Sequence, residues 1–138
     1  MSAFVLLMTA CRPTDELPTL RAVAARVTTP EADSFTSSDS AAGDSFGYAI
    51  ANAGDVNGDG YGDLIVGAYL DDDGGSSSGG AYIYYGSASG LDTSTEDKIN
   101  ASDDASFDFF GFSVAGAGDI DGDGYDDVII GAYADDDS

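Results

Sequence analysis

A shift of 64 residues, the distance from Phe46 to Phe110, lays the second part of this chain on the first without a gap. Asp33 falls on Asp97, Ser38 on Ser102, Asp39 on Asp103 and Phe46-Gly47 on Phe110-Gly111. Further on, Gly67-Ala68-Tyr69 falls on Gly131-Ala132-Tyr133 and the aspartates 71 to 73 on those at 135 to 137. Over residues 33–74, more than half of the positions are identical to their counterparts in 97–138. A fixed internal period constrains architecture more than any local propensity, since each copy is one supersecondary unit that buries its apolar face against the next.

Each copy contains the same acidic sentence, Gly54-Asp55-Val56-Asn57-Gly58-Asp59-Gly60-Tyr61-Gly62-Asp63 and Gly118-Asp119-Ile120-Asp121-Gly122-Asp123-Gly124-Tyr125-Asp126-Asp127. Oxygen side chains recur at every second residue, a glycine comes after the third, and an aspartate closes the run. The expected ligands are the side chains of Asp55, Asn57, Asp59 and Asp63 in the first loop and of Asp119, Asp121, Asp123 and Asp127 in the second. Tyr61 and Tyr125 are expected to offer backbone carbonyls rather than rings. Two carboxylates about 4 Å apart repel by roughly 1 kcal/mol in water and roughly 4 kcal/mol at an effective dielectric of about 20, so converging groups of this kind need a cation among them. A flexible ring of hard oxygens suits calcium, and the complete lack of histidine argues against zinc. About two calcium ions per chain are expected. With four aspartates against three and an asparagine, the second loop is expected to bind the tighter.

The residues after each loop separate this pattern from helical calcium motifs. An EF-hand runs on into a helix and carries a bidentate Glu at position 12. Here position 12 is Val66 or Ile130, inside β-branched runs. Phe46-Gly47-Tyr48-Ala49-Ile50-Ala51 and Phe110-Gly111-Phe112-Ser113-Val114-Ala115 alternate bulky with small residues, the period of a strand. Leu64 to Tyr69 and Val128 to Tyr133 read as strands covered on both faces, Gly80 to Gly86 as a third strand rich in aromatics, and Asp97 to Ala101 as a fourth and outermost. Each acidic loop then joins the first two strands of its copy as a hairpin connection. Phe46, Tyr48 and Ile50 are expected on one strand face, packing between neighbouring units.

The combination of Phe46-Gly47 and Phe110-Gly111, the Asp-x-Asn/Asp-x-Asp-Gly-x-x-Asp loops, and Gly67-Ala68 and Gly131-Ala132 resembles FG-GAP repeats, the blade units of the integrin alpha-subunit β-propeller and of many bacterial surface proteins. Tyr69 and Tyr133 stand where that family usually has proline. The resemblance covers about residues 33 to 138 and implies an all-β fold of four-stranded propeller blades with calcium in the hairpin loop. Propellers close with about four to eight blades. Two blades of an incomplete propeller are expected here, as part of a longer protein.

The remaining regions bound the function. A net charge of -22 makes nucleic acid and anionic membranes poor partners, and 43% hydrophobic residues argue against wholesale disorder. Residues 1–11 end in Thr9-Ala10-Cys11 after a short apolar run, like a lipoprotein signal segment whose cysteine is lipidated, although no Lys or Arg precedes the run. At about ten residues it is too short to span a bilayer, so any membrane association is expected only through a lipid anchor at Cys11. Residues 12–32 read as a tether, 33–96 as the first repeat and 97–138 as the second, incomplete one. Leu20 to Val27 suits a short helix or a strand.

No catalytic constellation is visible: histidine is absent, the one cysteine sits in the leader, and the paired carboxylates are accounted for as ligands. The expected function is a calcium-stabilised propeller scaffold on an exported surface protein, acting in adhesion or protein interaction. The expected partner is an extracellular protein or glycan. A lectin-like module, with Tyr69, Tyr133 or Tyr85 stacking on sugar, and an accessory domain of a larger secreted hydrolase are the alternatives. The aspartates 71 to 73 and 135 to 137 read as solvated turns, or else as an acidic rim for a basic partner or a weaker cation site.

Overall fold

The computed structural model describes residues 4–5, 22–26, 33–39, 41–102 and 105–134. The described residues contain strands and turns and no helix. The strands are β1 (Phe4–Val5), β2 (Ala22–Arg26), β3 (Asp33–Phe35), β4 (Ala49–Gly54), β5 (Asp63–Ala68), β6 (Gly80–Tyr84), β7 (Gly86–Ser87), β8 (Gly90–Leu91), β9 (Asp97–Ile99), β10 (Phe110–Gly118) and β11 (Asp127–Ala132). The central sheet runs β4-β5-β6-β9 with every pair antiparallel, a four-stranded meander of the kind that makes one propeller blade. Strands β10 and β11 pair antiparallel as the start of a second blade. The segment Leu20 to Val27, open between helix and strand in the sequence, contains β2, which pairs with both β1 and β3. Cys11, Asp103 and the aspartates 135 to 137 lie outside the described residues.

The first blade is apolar on both faces. One face gathers Phe35, Phe46, Val66, Ala68, Tyr82 and Tyr84, with Ile50, Leu64 and Leu91 at its margin. The other gathers Ala53, Ile65, Ala81 and Ile83, and against it pack Phe110, Val114, Val128 and Ile130 of the second blade. Strand β5 therefore needs apolar residues at consecutive positions, as its sequence Leu64-Ile65-Val66 provides.

One sequence expectation is corrected here. The first strand starts at Ala49 and not at Phe46, after a turn in which Ser45 and Gly47 take positive φ (58° and 87°); in the second copy Phe109 and Gly111 do the same (55° and 82°), and there the strand begins at Phe110 with a break in register before Ser113. Phe46 and Ile50 do share one apolar face. Tyr48 leaves it and joins a partly exposed group of rings, at 4.5 Å from Tyr69 and 5.2 Å from Phe112 between ring centroids.

The two blades meet backbone to backbone. A Cβ at Gly67 would overlap the carbonyl of Gly111, and one at Gly111 would overlap the carbonyl of Gly80. Gly111 also sits at φ 82°, where a side chain is strained whatever the space. Gly116 comes equally close to the carbonyl of Asn52 in β4. A parallel bridge between Gly79 and Phe110 and the hydrogen bond from the Phe110 N–H to the Ser78 carbonyl, 2.9 Å, complete the junction.

Candidate metal centre

Both acidic loops are hairpin connections, β4 to β5 and β10 to β11, and both are folded by their own carboxylates. In the first, the Asp55 carboxylate accepts hydrogen bonds from the N–H groups of Asp59 and Gly60 at 3.0 and 2.7 Å. Asn57 Oδ1 accepts from Asp59 N–H and Asp59 Oδ1 from Tyr61 N–H. The second loop repeats this: Asp119 accepts from Gly122, Asp123 and Gly124, Asp121 from Asp123, and Asp123 from Tyr125. Each loop is closed at its far end by the ninth residue. Asp63 accepts from Val56 N–H, and Asp127 from Ile120 N–H, both at 2.9 Å. Asp63, only 3% exposed, also accepts from Gly86 N–H and so ties the loop to the start of β7.

These bonds use part of each carboxylate's accepting capacity and leave further lone pairs free to coordinate. In the second loop Asp119, Asp121 and Asp127 bring ligand oxygens within 4.8 Å of one another. The first loop has the neutral Asn57 in the place of Asp121, and no triple of carboxylates closes to that distance there. The donor set in both is of hard oxygens only, which fits a divalent cation of the calcium type. The rings of Tyr61 and Tyr125 are exposed.

A second acidic triple among the described residues, Asp39, Asp71 and Asp73, already holds a cation of its own. Lys98 Nζ from β9 lies 2.9, 2.9 and 2.8 Å from the three carboxylates and 5.4 Å from the centroid of the Tyr82 ring. The Tyr82 hydroxyl donates to both Asp71 and Asp39. Asp71 is 2% exposed and is no solvated turn residue; Asp72 and Asp73 at its side do face solvent. Burial would lower the Lys98 pKa, but its bonds to Asp73, Asp39, Asp71 and Tyr82 together carry it well above the ordinary lysine value. Burial likewise works to raise Asp39, and its bonds to Lys98 and Tyr82 outweigh that and leave it below the ordinary carboxylate value. The run Asp71 to Asp73 is legible in the sequence as a candidate group, but Lys98 is not. It lies 25 residues beyond Asp73 and reaches the group only because β9 pairs with β6.

At the ends of the hairpins away from the loops, aromatic rings form a continuous run across the blade junction. Tyr48 and Tyr69 of the first blade meet Phe112 of the second, and Phe112 and Phe109 meet Tyr133, with centroid separations of 4.5 to 6.0 Å. Tyr133 is 70% exposed. Tyr85 lies elsewhere. Its hydroxyl donates to Asp97, a bond that with partial burial pushes its pKa up to about 12.

With this geometry the comparisons with known proteins agree. A family model described as FG-GAP repeat matches residues 30–84, and a second of the same description matches residues 110–138. The chain belongs to the FG-GAP repeat family. This FG-GAP protein is 39% identical over 90 residues to integrin alpha-6 of Gallus gallus, a match spanning 65% of the chain and 8% of that relative. It is 40% identical over 90 residues to integrin alpha-6 of Homo sapiens, spanning 65% of the chain and 7% of the relative. To integrin alpha-E of Mus musculus it is 43% identical over 91 residues, 63% of the chain and 8% of the relative. The chain thus spans less than a tenth of the length of these curated relatives. Its all-β sheets are those of incomplete propeller blades.

Proposed function

We propose that this FG-GAP chain is a calcium-binding propeller scaffold of an exported surface protein, acting in adhesion or protein interaction. The observation that carries the reading is the pair of hairpin loops in which oxygen ligands recur with one spacing and are held by matching backbone bonds. Asp55, Asn57, Asp59 and Asp63, with the Tyr61 carbonyl, hold one ion. Asp119, Asp121, Asp123 and Asp127, with the Tyr125 carbonyl, hold the other. Calcium there offsets two of the three or four negative charges of each loop and staples each first strand to its second. The repeat bounds 33–96 and 97–138, the leader 1–11 with lipidation at Cys11, and the tether 12–32 belong to the same reading, which places the protein outside the cell or in its envelope. The integrin names of its relatives support a surface role.

The partner is an extracellular protein or glycan, and the ring run is the contact surface through its exposed members Tyr48, Phe112 and Tyr133, backed by the half-buried Tyr69 and Phe109, since exposed aromatics contribute large contact area at low entropic cost. A glycan is favoured specifically by the exposure of the Tyr133 ring, and a glycan array separates it from a protein partner. Thermal unfolding with and without calcium tests the scaffold reading. A site filled at about 100 times its Kd stabilises by roughly 2.7 kcal/mol, so calcium should raise Tm and a chelator reverse it. An unchanged Tm in millimolar calcium would overturn the proposal.

A further inference from the structure

The two acidic loops touch each other. Asp126 Oδ2 accepts a hydrogen bond from the Asp55 N–H at 2.8 Å, and the Asp126 N–H donates to the Asp55 carbonyl at 3.0 Å. The Asp126 side chain fills the space beside Gly54, where a Cβ would overlap it, and the Tyr125 ring lies against Gly58, where a Cβ would fall 2.7 Å from Cε1. Asp55 is the first ligand position of its loop. Asp126 is not a ligand position, but it directly precedes Asp127, the last ligand position of the other loop. The equivalent of Asp126 in the first loop is Gly62, which has no side chain to reach out with.

We propose that Asp126 couples the two cation loops, so that an ion in one raises the affinity of the other. This rests on the cation reading above. An ion in the first loop fixes Asp55 and so holds its N–H and carbonyl toward Asp126, which orients the backbone that presents Asp127. An ion in the second loop fixes Asp127 and returns the same constraint to Asp55. The contact is ordered once and serves both sites, so the second ion meets a site already ordered by the first, and by linkage the effect is reciprocal. The Asp126 carboxylate thus lies at the contact between the loops, bonded to the backbone of the first.

Calcium titration calorimetry on the full chain tests this, with Asp123→Ala used to empty the second loop. Asp123→Ala is expected to weaken the first loop by about 5-fold or more when Asp126 is present, and by less than about 2-fold in an Asp126→Ala background. Amide hydrogen exchange in Asp59→Ala, where only the second loop binds, gives a readout that does not need Asp126→Ala to fold. Calcium should slow exchange at the Asp55 amide. Two ions bound with affinities indifferent to the other loop, or an unaltered Asp55 amide, would overturn the coupling and leave the cation reading standing. No calcium uptake at either loop would overturn the cation reading itself and the coupling with it.

Discussion

Ile65 and Ile129 occupy the same place in the two repeats, yet Ile65 is wholly buried and Ile129 is 58% exposed. Ile65 lies on the face of the first blade that the second blade covers, through Phe110, Val114, Val128 and Ile130. Ile129 lies on the corresponding face of the second blade. Neighbour contact, rather than intrinsic residue preference, decides the energetic weight of each isoleucine.

Ile65→Ala is therefore expected to destabilise the chain by about 2–5 kcal/mol. Ile129→Ala should stay within about 0.5 kcal/mol, as a surface substitution does. Urea unfolding of the two variants measures both, and equal losses would contradict the placement of the blade junction.

The glycines at the junction predict a graded response. Gly111→Ala forces a Cβ into the Gly80 carbonyl at a positive φ, whereas Gly124, also at positive φ, has open space around it. Gly124→Ala should cost about 1–2 kcal/mol through backbone strain alone. Gly111→Ala should cost more, since overpacking of this kind adds about 1–3 kcal/mol. Chemical denaturation orders them.

The loops differ in charge, with three aspartates and Asn57 in the first and four aspartates in the second. Fewer charged ligands weaken calcium binding. Calorimetry should show tighter binding to the loop remaining in Asp59→Ala than to the loop remaining in Asp123→Ala. The reverse order would show that something other than charge controls affinity.

The Lys98 cluster predicts a pH dependence. Asp39, lowered from its ordinary 3.8, contributes stability that is complete above 3.8 and is lost as pH falls through its lower folded value. Lys98, raised from its ordinary 10.5, contributes stability that is complete below 10.5 and is lost as pH rises through its higher folded value. Lys98→Met leaves Asp71 buried without its cation and is expected to cost about 3 kcal/mol or more at neutral pH. The gap between wild type and variant should narrow below 3.8 and above 10.5. A gap independent of pH would mean that Lys98 acts through packing alone.

Strand order and loop placement are legible in the sequence because they depend on local signals: alternation, the apolar runs after each loop, and a repeat that supports each by its copy. The fourth strand at Asp97–Ile99 and the hairpin position of both loops are of this kind. The start of the first strand is not, because alternation around Phe46 imitates a pleat where the chain is still in the turn through Ser45 and Gly47. Nothing local marks Asp126 either, since its partner, Asp55, is 71 positions away. Lys98 is hidden for the same reason, being joined to Asp39 across 59 residues by sheet pairing. Long-range polar partners are set by how blades and strands nest, which a single copy of the pattern does not encode.

At the seam between blades the closest approach is main chain against main chain, at Gly67, Gly80 and Gly111. Such a joint fixes how near the two sheets come, and the side chains of Ile65, Val114, Val128 and Ile130 fill the space beside it. A Cβ at Gly67 or Gly111 would push the blades apart, so the spacing between units depends on those two positions staying bare.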